Sequence, residues 1–309
     1  MNTIIQDQLT PKQLDRLAAQ RQIYSDVKTI QAVYMILSVP CVIVWSLLIV
    51  FIPELTSYAA LWGITVTLLG IVIFTPWQNS LKQQAAKIQE LFDCDVLQLK
   101  CSEMKVSRKP DTETIVEASS KFRRKEPEYV SLKNWYPVSV GKLPIALARL
   151  VCQRTNCWWD AKLRRRYAMA IIIVVIILTI FVFLLSLIGG FSLDKFILAV
   201  LTPLMPIILL GTQHYIENTQ SATLLDDLKE STEKLWEQAI SGKITLKILE
   251  TESRELQDEI YHHRCKSPLI FDWIYRIFRN PHEEQMNKGA DSLIEEALKS
   301  QKVWQKKFP

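Results

Sequence analysis

Apolar and polar positions fall into long blocks rather than mixing evenly along this chain. Four blocks are apolar on every face of a helix: residues 32–52, 58–76, 168–188 and 196–211. Residues 168–188 carry no charged side chain over 21 positions and follow directly on Lys162, Arg164, Arg165 and Arg166. A run of that kind matches the roughly 20 residues needed to cross a bilayer core, whereas a buried soluble helix seldom stays apolar all round for so long. The fourth block is shorter and holds Pro203 and Pro206. Four transmembrane helices are predicted, paired into two hairpins by the short turns at 53–57 and 190–195.

The basic residues fix the orientation. Of 37 Lys and Arg, 4 precede the first block, 18 lie between the second and third, 14 follow the fourth, and Lys195 alone sits in a hairpin turn. Basic residues collect on the cytoplasmic side of a membrane, so both termini and the middle segment are expected inside and the two turns outside. No cleavable leader is expected, because the first thirty residues are polar. The predicted class is an all-α membrane protein: two transmembrane hairpins and a mainly helical cytoplasmic domain, with one or two short strands in the middle insert. Its divisions are a cytoplasmic amphipathic helix (1–31), hairpin one (32–76), a basic insert (77–167), hairpin two (168–211) and a helical tail (212–309).

Within the polar blocks, Thr10-Pro11 opens a helix that places Leu14, Leu17, Tyr24 and Val27 on one face, as a membrane-surface or intersubunit helix would. Pro40 should kink the first span. Gly63, Thr67 and Gly70 recur at helical spacing in the second span, forming either a helix-packing seam or a weakly polar pore lining. Residues 80–92 read as a short helix, 94–99 as a strand, and 102–133, rich in charge and Ser/Thr, as solvated surface. In the tail, Leu224, Leu228, Leu235 and Ala239 form one stripe and Leu249, Leu256 and Ile260 another. An aromatic knot spans 268–275, and Asn280-Pro281 is expected to cap a further helix.

Candidate chemistry is sparse. No span holds Asp, Glu, Lys, Arg or His, which argues against an ion-coupled transporter. The chain shows no phosphate loop, dinucleotide fingerprint, zinc-protease helix or serine elbow, so no catalytic residue is nominated and an enzyme is not expected. Cys152, Cys157, His262, His263 and Cys265 lack the spacing of a zinc module, and no metal is expected; the three histidines at 262, 263 and 282 read as surface or packing residues. The insert carries 18 basic against 10 acidic residues, a net of +8, and would attract an anion or the inner leaflet. Aromatic and hydrogen-bonding residues concentrate at its end: Trp135, Tyr136, Arg149, Gln153, Arg154, Asn156, Trp158, Trp159 and Arg164. Stacking on bases and gripping phosphates require such residues; anchoring beside a membrane span uses the same types.

Trp135-Tyr136-Pro137, Cys152-Gln153-Arg154 with Asn156, Trp159-Asp160, Leu163-Arg164 and Tyr167, and then Pro268 with Phe271-Asp272-Trp273-Ile274-Tyr275 resemble the signature stretches of the SMODS-associated four-transmembrane effectors. The order of hairpins, insert and tail is similar as well. These are pore-forming effectors of bacterial cyclic-oligonucleotide anti-phage signalling (CBASS). The resemblance implies an inner-membrane protein, triggered by a cyclic di- or oligonucleotide from a partner synthase, that breaches the membrane as a homo-oligomer. It implies no further cofactor and no DNA or RNA partner, and it fixes no ligand residue; the nine residues above are the candidate ligand region. A membrane-anchored scaffold that binds another protein through its cytoplasmic helices fits the stripes of the tail equally well.

Overall fold

A computed structural model describes residues 2–101, 109–188 and 202–305, with positions 192, 194 and 197 isolated between them. Among the described residues the regular structure is entirely helical. Eleven α-helices among these residues follow in order: α1 (Ile4–Asp7), α2 (Pro11–Ser38), α3 (Pro40–Phe51), α4 (Thr56–Leu69), α5 (Thr75–Val96), α6 (Thr112–Lys125), α7 (Ile145–Ile188), α8 (Thr202–Ile240), α9 (Leu246–Lys266), α10 (Asp272–Lys299) and α11 (Gln301–Trp304). A π-helical turn, Gly70–Phe74, joins α4 to α5 without a break.

Two helical stretches, Pro11–Trp45 and Ser57–Val96, are long and apolar enough to cross a membrane. The uncharged end of α7 keeps Ile173, Ile176, Ile177, Ile180, Phe181 and Leu184 exposed. Apolar surface on that scale is what lipid contact requires. The first break comes where Pro40 predicts it: α2 ends at Ser38 and α3 restarts at Pro40. Residues 196 and 198–201 of the fourth predicted span and most of the turn at 190–195 lie outside the described residues; 202–211 form the start of α8.

The spans are continuous with the helical body. At 44 residues, α7 is about 65 Å long at 1.5 Å per residue, roughly twice the thickness of a hydrocarbon core. Any tilt of its outer half is therefore a tilt of its inner half. Each hairpin closes at a glycine. A Cβ on Gly70 would lie 2.6 Å from Tyr34 Oη, and one on Gly211 would collide with Val175 Cγ2, so α2 meets the π-helical turn and α7 meets α8 at positions where only hydrogen fits.

Several sequence expectations change here. The strand at 94–99 is absent, because α5 runs to Val96 and the chain then turns at Gln98 with φ 52°; no strand occurs among the described residues. The stretch 102–133 is not simply solvated surface: 102–108 lie outside the described residues, but α6 buries Ala118, Ser119 and Phe122. The helix of residues 11–31 does not lie on a membrane surface, since Leu17, Ala18, Ala19 and Val27 are fully buried within the body. Asn280-Pro281 starts no new helix. Pro281 sits inside α10, and His282, Ala290, Ile294 and Ala297 beyond it remain almost wholly buried, so packing holds the helix together across the missing N–H.

One core unites segments far apart in sequence, including Ile4, Leu17, Phe92, Tyr136, Leu147, Leu225, Leu249 and Ile294. A buried polar network crosses it. Asp93, fully buried, accepts from Tyr136 Oη at 2.6 Å, Gln257 Nε2 at 2.9 Å and Arg264 Nη1 at 2.5 Å. Glu90 accepts from Arg254 Nη2 at 2.7 Å and Gln257 Nε2 at 2.9 Å. Buried charges persist only when paired and hydrogen-bonded in this way.

Candidate ligand cavity

A cavity of about 470 Å³ opens in the centre of the body, where α2, α7, α9 and α10 converge on the segment 130–135. Its size is that of a pocket for a small organic ligand. Arg21, Tyr24 and Lys28 enter from α2, at steps of three and four that place them on one face. Asn156, Trp159, Asp160 and Arg164 enter from α7, Arg264 from α9, and Tyr275, Arg279 and Glu283 from α10. Ser131, Lys133 and Trp135 line it from the connecting segment. Lys133 and Asn134 are exposed, and Asn134 adopts a left-handed φ of 57°, so this turn forms the mouth.

Cations dominate the lining. Arg21, Lys28, Lys133, Arg164, Arg264 and Arg279 face it against the carboxylates of Asp160 and Glu283. Four of the six are committed to neighbours: Lys28 to Asp272 at 2.6 Å, Arg164 to Asp160 at 3.1 Å, Arg264 to Asp93 at 2.5 Å and Arg279 to Glu283 at 2.6 Å. Among the described residues Arg21 and Lys133 have no ion pair. Arg21 instead lies over the Tyr275 ring, 3.6 Å from its centroid. Burial lowers the Lys28 pKa against the opposing pull of Asp272. Burial also opposes the charge of Arg264, but Asp93 beside it outweighs this and raises its pKa. Burial pushes the Tyr24 hydroxyl up and the Cys157 thiol up to about 12, so both stay protonated at neutral pH.

Four rings line the cavity: Tyr24, Trp135, Trp159 and Tyr275. Trp159 and Tyr275 lean together with centroids 5.2 Å apart. The indole Nε1 of Trp135 is buried and has no hydrogen-bond partner among the described residues. An orphaned buried donor is rare in a native fold and calls for an acceptor.

The nominated residues divide. Trp135, Asn156, Trp159 and Arg164 line the cavity. The other five are placed elsewhere, in structural contacts. Tyr136 is fully buried, stacked on Phe92 and bonded to Asp93. Arg149 donates to the carbonyls of Leu97 and Gln98, both at 2.6 Å, closing the end of α5. Gln153 exchanges hydrogen bonds with Ser253. Arg154 pairs with Glu233 at 2.7 Å, and Trp158 packs edge-on to His282 with Lys162 above it. Of the second-span trio, Gly70 packs on Tyr34, Gly63 faces open space, and Thr67 bonds back to the Gly63 carbonyl. His263 and His282 are buried and His262 is exposed. Arg21, Tyr24, Lys28, Arg264, Tyr275 and Arg279 were not anticipated at a site; the common face of Arg21, Tyr24 and Lys28 was the available signal.

The family assignment rests on the whole chain. The profile of the SMODS-associating 4TM effector domain matches residues 2–293. The chain belongs to the SMODS-associating four-transmembrane effector family. Its helical hairpins and their exposed apolar surfaces accord with a membrane-associated effector. A Bacillus cereus (strain VD146) protein named a probable CBASS effector molecule is 25% identical over 300 residues, covering 92% of this chain and 95% of that protein. No solved structure matches.

The lining suits a ligand that carries anions, flat rings and hydrogen-bond acceptors. Arg21 and Lys133, without ion pairs among the described residues, supply positive charge, the four rings supply stacking faces, and Trp135 Nε1 supplies an unused donor.

Proposed function

We propose that this chain is an effector of bacterial anti-phage defence that disrupts the inner membrane when a cyclic oligonucleotide enters the central cavity. The observation that carries the reading is the pairing pattern of the lining: four cations neutralised by neighbours, two left without partners, and an unsatisfied indole N–H beside four rings. A purely structural core gains nothing from the orphaned indole N–H, because an unpaired buried polar group costs about 1–3 kcal/mol.

In the proposed resting state Arg21 covers the Tyr275 ring. A phosphate that draws Arg21 away exposes that ring to a base. Tyr275 follows Ile274, which packs with Leu163, Tyr167 and Ile270 in one cluster joined by Ile171, so rearrangement around Tyr275 acts on α7 where it enters the membrane. With both termini and the cavity on the cytoplasmic side, a trigger made there by a partner synthase reaches its receiver directly. The spans then open by assembling with those of other copies, since the ligand favours the rearranged state only through contacts the resting state lacks. The chain performs no chemistry on the ligand in this reading.

Calorimetry of the detergent-solubilised protein against cyclic di- and trinucleotides, with inorganic phosphate and linear dinucleotides as controls, tests the assignment. One cyclic species is expected to bind at least a hundredfold more tightly than its linear counterpart. Binding of none, or equal binding of linear and cyclic forms, overturns it.

A further inference from the structure

A second cavity, of about 640 Å³, lies between the two hairpins where the spans meet the body. It is bounded by the membrane-proximal parts of α2, α5 and α8 and by the end of α9. Within each hairpin the helices interlock at Gly70 and Gly211, but no such interlock joins one hairpin to the other among the described residues. The gap is chemically graded. Met35 and Leu210 line its membrane side, and Lys82 and Lys266 line its cytoplasmic side.

Three observations say what fills it. Lys82 is half-buried, its one hydrogen bond among the described residues runs to the Ser267 carbonyl at 3.3 Å, and neither it nor Lys266 has an ion pair among those residues. Burial, helped by the charge of Arg164, lowers the pKa of Lys82 against the opposing pull of Glu217, which lines the same cavity; a further anion beside it would relieve both effects. Gln31, only 9% exposed, leaves its buried Oε1 without a donor. An occupant that brings an anion for half-buried Lys82 and exposed Lys266, an N–H or O–H for Gln31, and hydrocarbon for Met35 and Leu210 matches all three.

We propose that the seam between the hairpins is a phospholipid site: the phosphodiester sits at Lys82 and Lys266, an ammonium or hydroxyl of the headgroup donates to Gln31 Oε1, and the acyl chains leave past Met35 and Leu210. Phosphatidylethanolamine and phosphatidylglycerol meet all three requirements. Phosphatidylcholine has no headgroup donor and fails the second. The site shares His263, Ser267, Pro268 and Leu269 with the central cavity, so lipid and trigger press on one wall from opposite sides. Lipid binding at the seam does not depend on the identity of the trigger.

The test uses the full-length protein in detergent, titrated with short-chain phosphatidylglycerol, phosphatidylethanolamine or phosphatidylcholine and with inorganic phosphate, read by native mass spectrometry and thermal unfolding. Wild type should bind the first two lipids at least tenfold more tightly than phosphatidylcholine, and inorganic phosphate more weakly than any of the three. The double substitution Lys82→Gln/Lys266→Gln should weaken phosphatidylglycerol binding at least tenfold. Gln31→Leu, which keeps both charges, should erase the preference over phosphatidylcholine, and it carries the test alone should the double variant fail to fold. Equal lipid binding by wild type and the double variant overturns the site. Inorganic phosphate binding as tightly as lipid overturns the lipid as occupant, and an unchanged preference in Gln31→Leu overturns the headgroup contact.

Discussion

Arg164 Nη1 donates to the Pro268 carbonyl at 2.9 Å and to Asn218 Oδ1 at 3.2 Å. One guanidinium on α7, four residues before the uncharged span, thereby ties down the segment that separates the two cavities. Replacing it with Gln removes charge-assisted hydrogen bonds worth about 1.5–3 kcal/mol each and leaves Asp160 without this partner. Arg164→Gln is expected to lower the thermal unfolding midpoint and to raise dye leakage in the absence of any trigger. Unchanged values for both would remove Arg164 from the wall.

Arg21 and Lys28 stand on the same face of α2 but should respond differently. Arg21 has a ring contact and a more distant attraction to Asp272 but no ion pair among the described residues, and a ring contact contributes about 0.5–2 kcal/mol. Arg21→Met should therefore weaken trigger binding at least tenfold while costing at most about 2 kcal/mol of stability. Lys28→Met removes the ion pair of half-buried Asp272, leaving it only Arg21 and the Ser25 hydroxyl, and should destabilise the fold more than Arg21→Met does. Denaturant unfolding and calorimetry on the pair separate binding from structure.

The glycines make a graded series. No atom lies within 4 Å of a Cβ on Gly63, so Gly63→Ala should be neutral or slightly stabilising. Gly70→Ala forces the Tyr34 ring to shift. Gly211→Ala meets Val175, a short and stiff side chain that cannot swing clear, and should be the worst of the three, at about 1–3 kcal/mol. Unfolding midpoints in detergent check the order.

His263 gives a pH signature. Burial holds its pKa down to about 4, below its ordinary 6.5, despite Asp160 nearby, and Ser221 Oγ lies 2.6 Å from its Nε2. The unfolded chain therefore binds the extra proton between those values, and the stability that comes from keeping His263 neutral is present above about pH 6.5 and lost as pH falls towards 4. The loss is roughly 3 kcal/mol. His263→Gln should flatten the dependence over that window; an unchanged slope would show that the imidazole does not carry it.

Much of the helical architecture was legible in the sequence because long uncharged runs have few physical explanations. The α7 span, the interruption at Pro40 and the helical tail all follow from local pattern. What escaped was set by tertiary context. Val96 belongs to a helix although 94–99 alternates like a strand, because α5 packs into the core to its last turn. The basic α6 looked solvated, yet Phe122 anchors it. At the site, Trp159 and Arg164 were visible in a dense motif, whereas Tyr136, Arg149 and Gln153 from the same motif hold the body together. Arg21 and Tyr275, 254 positions apart, meet only in the fold.

The central claim is that ligand in the cationic, aromatic cavity opens the membrane. Dye release from sealed vesicles containing the full-length chain, with the cyclic oligonucleotide that calorimetry identifies added outside to inside-out-oriented protein, tests it most directly. The account predicts rapid release with wild type, and release with Arg21→Met only at ligand concentrations at least tenfold higher. Vesicles that stay sealed while wild-type protein is demonstrably bound to ligand would contradict it.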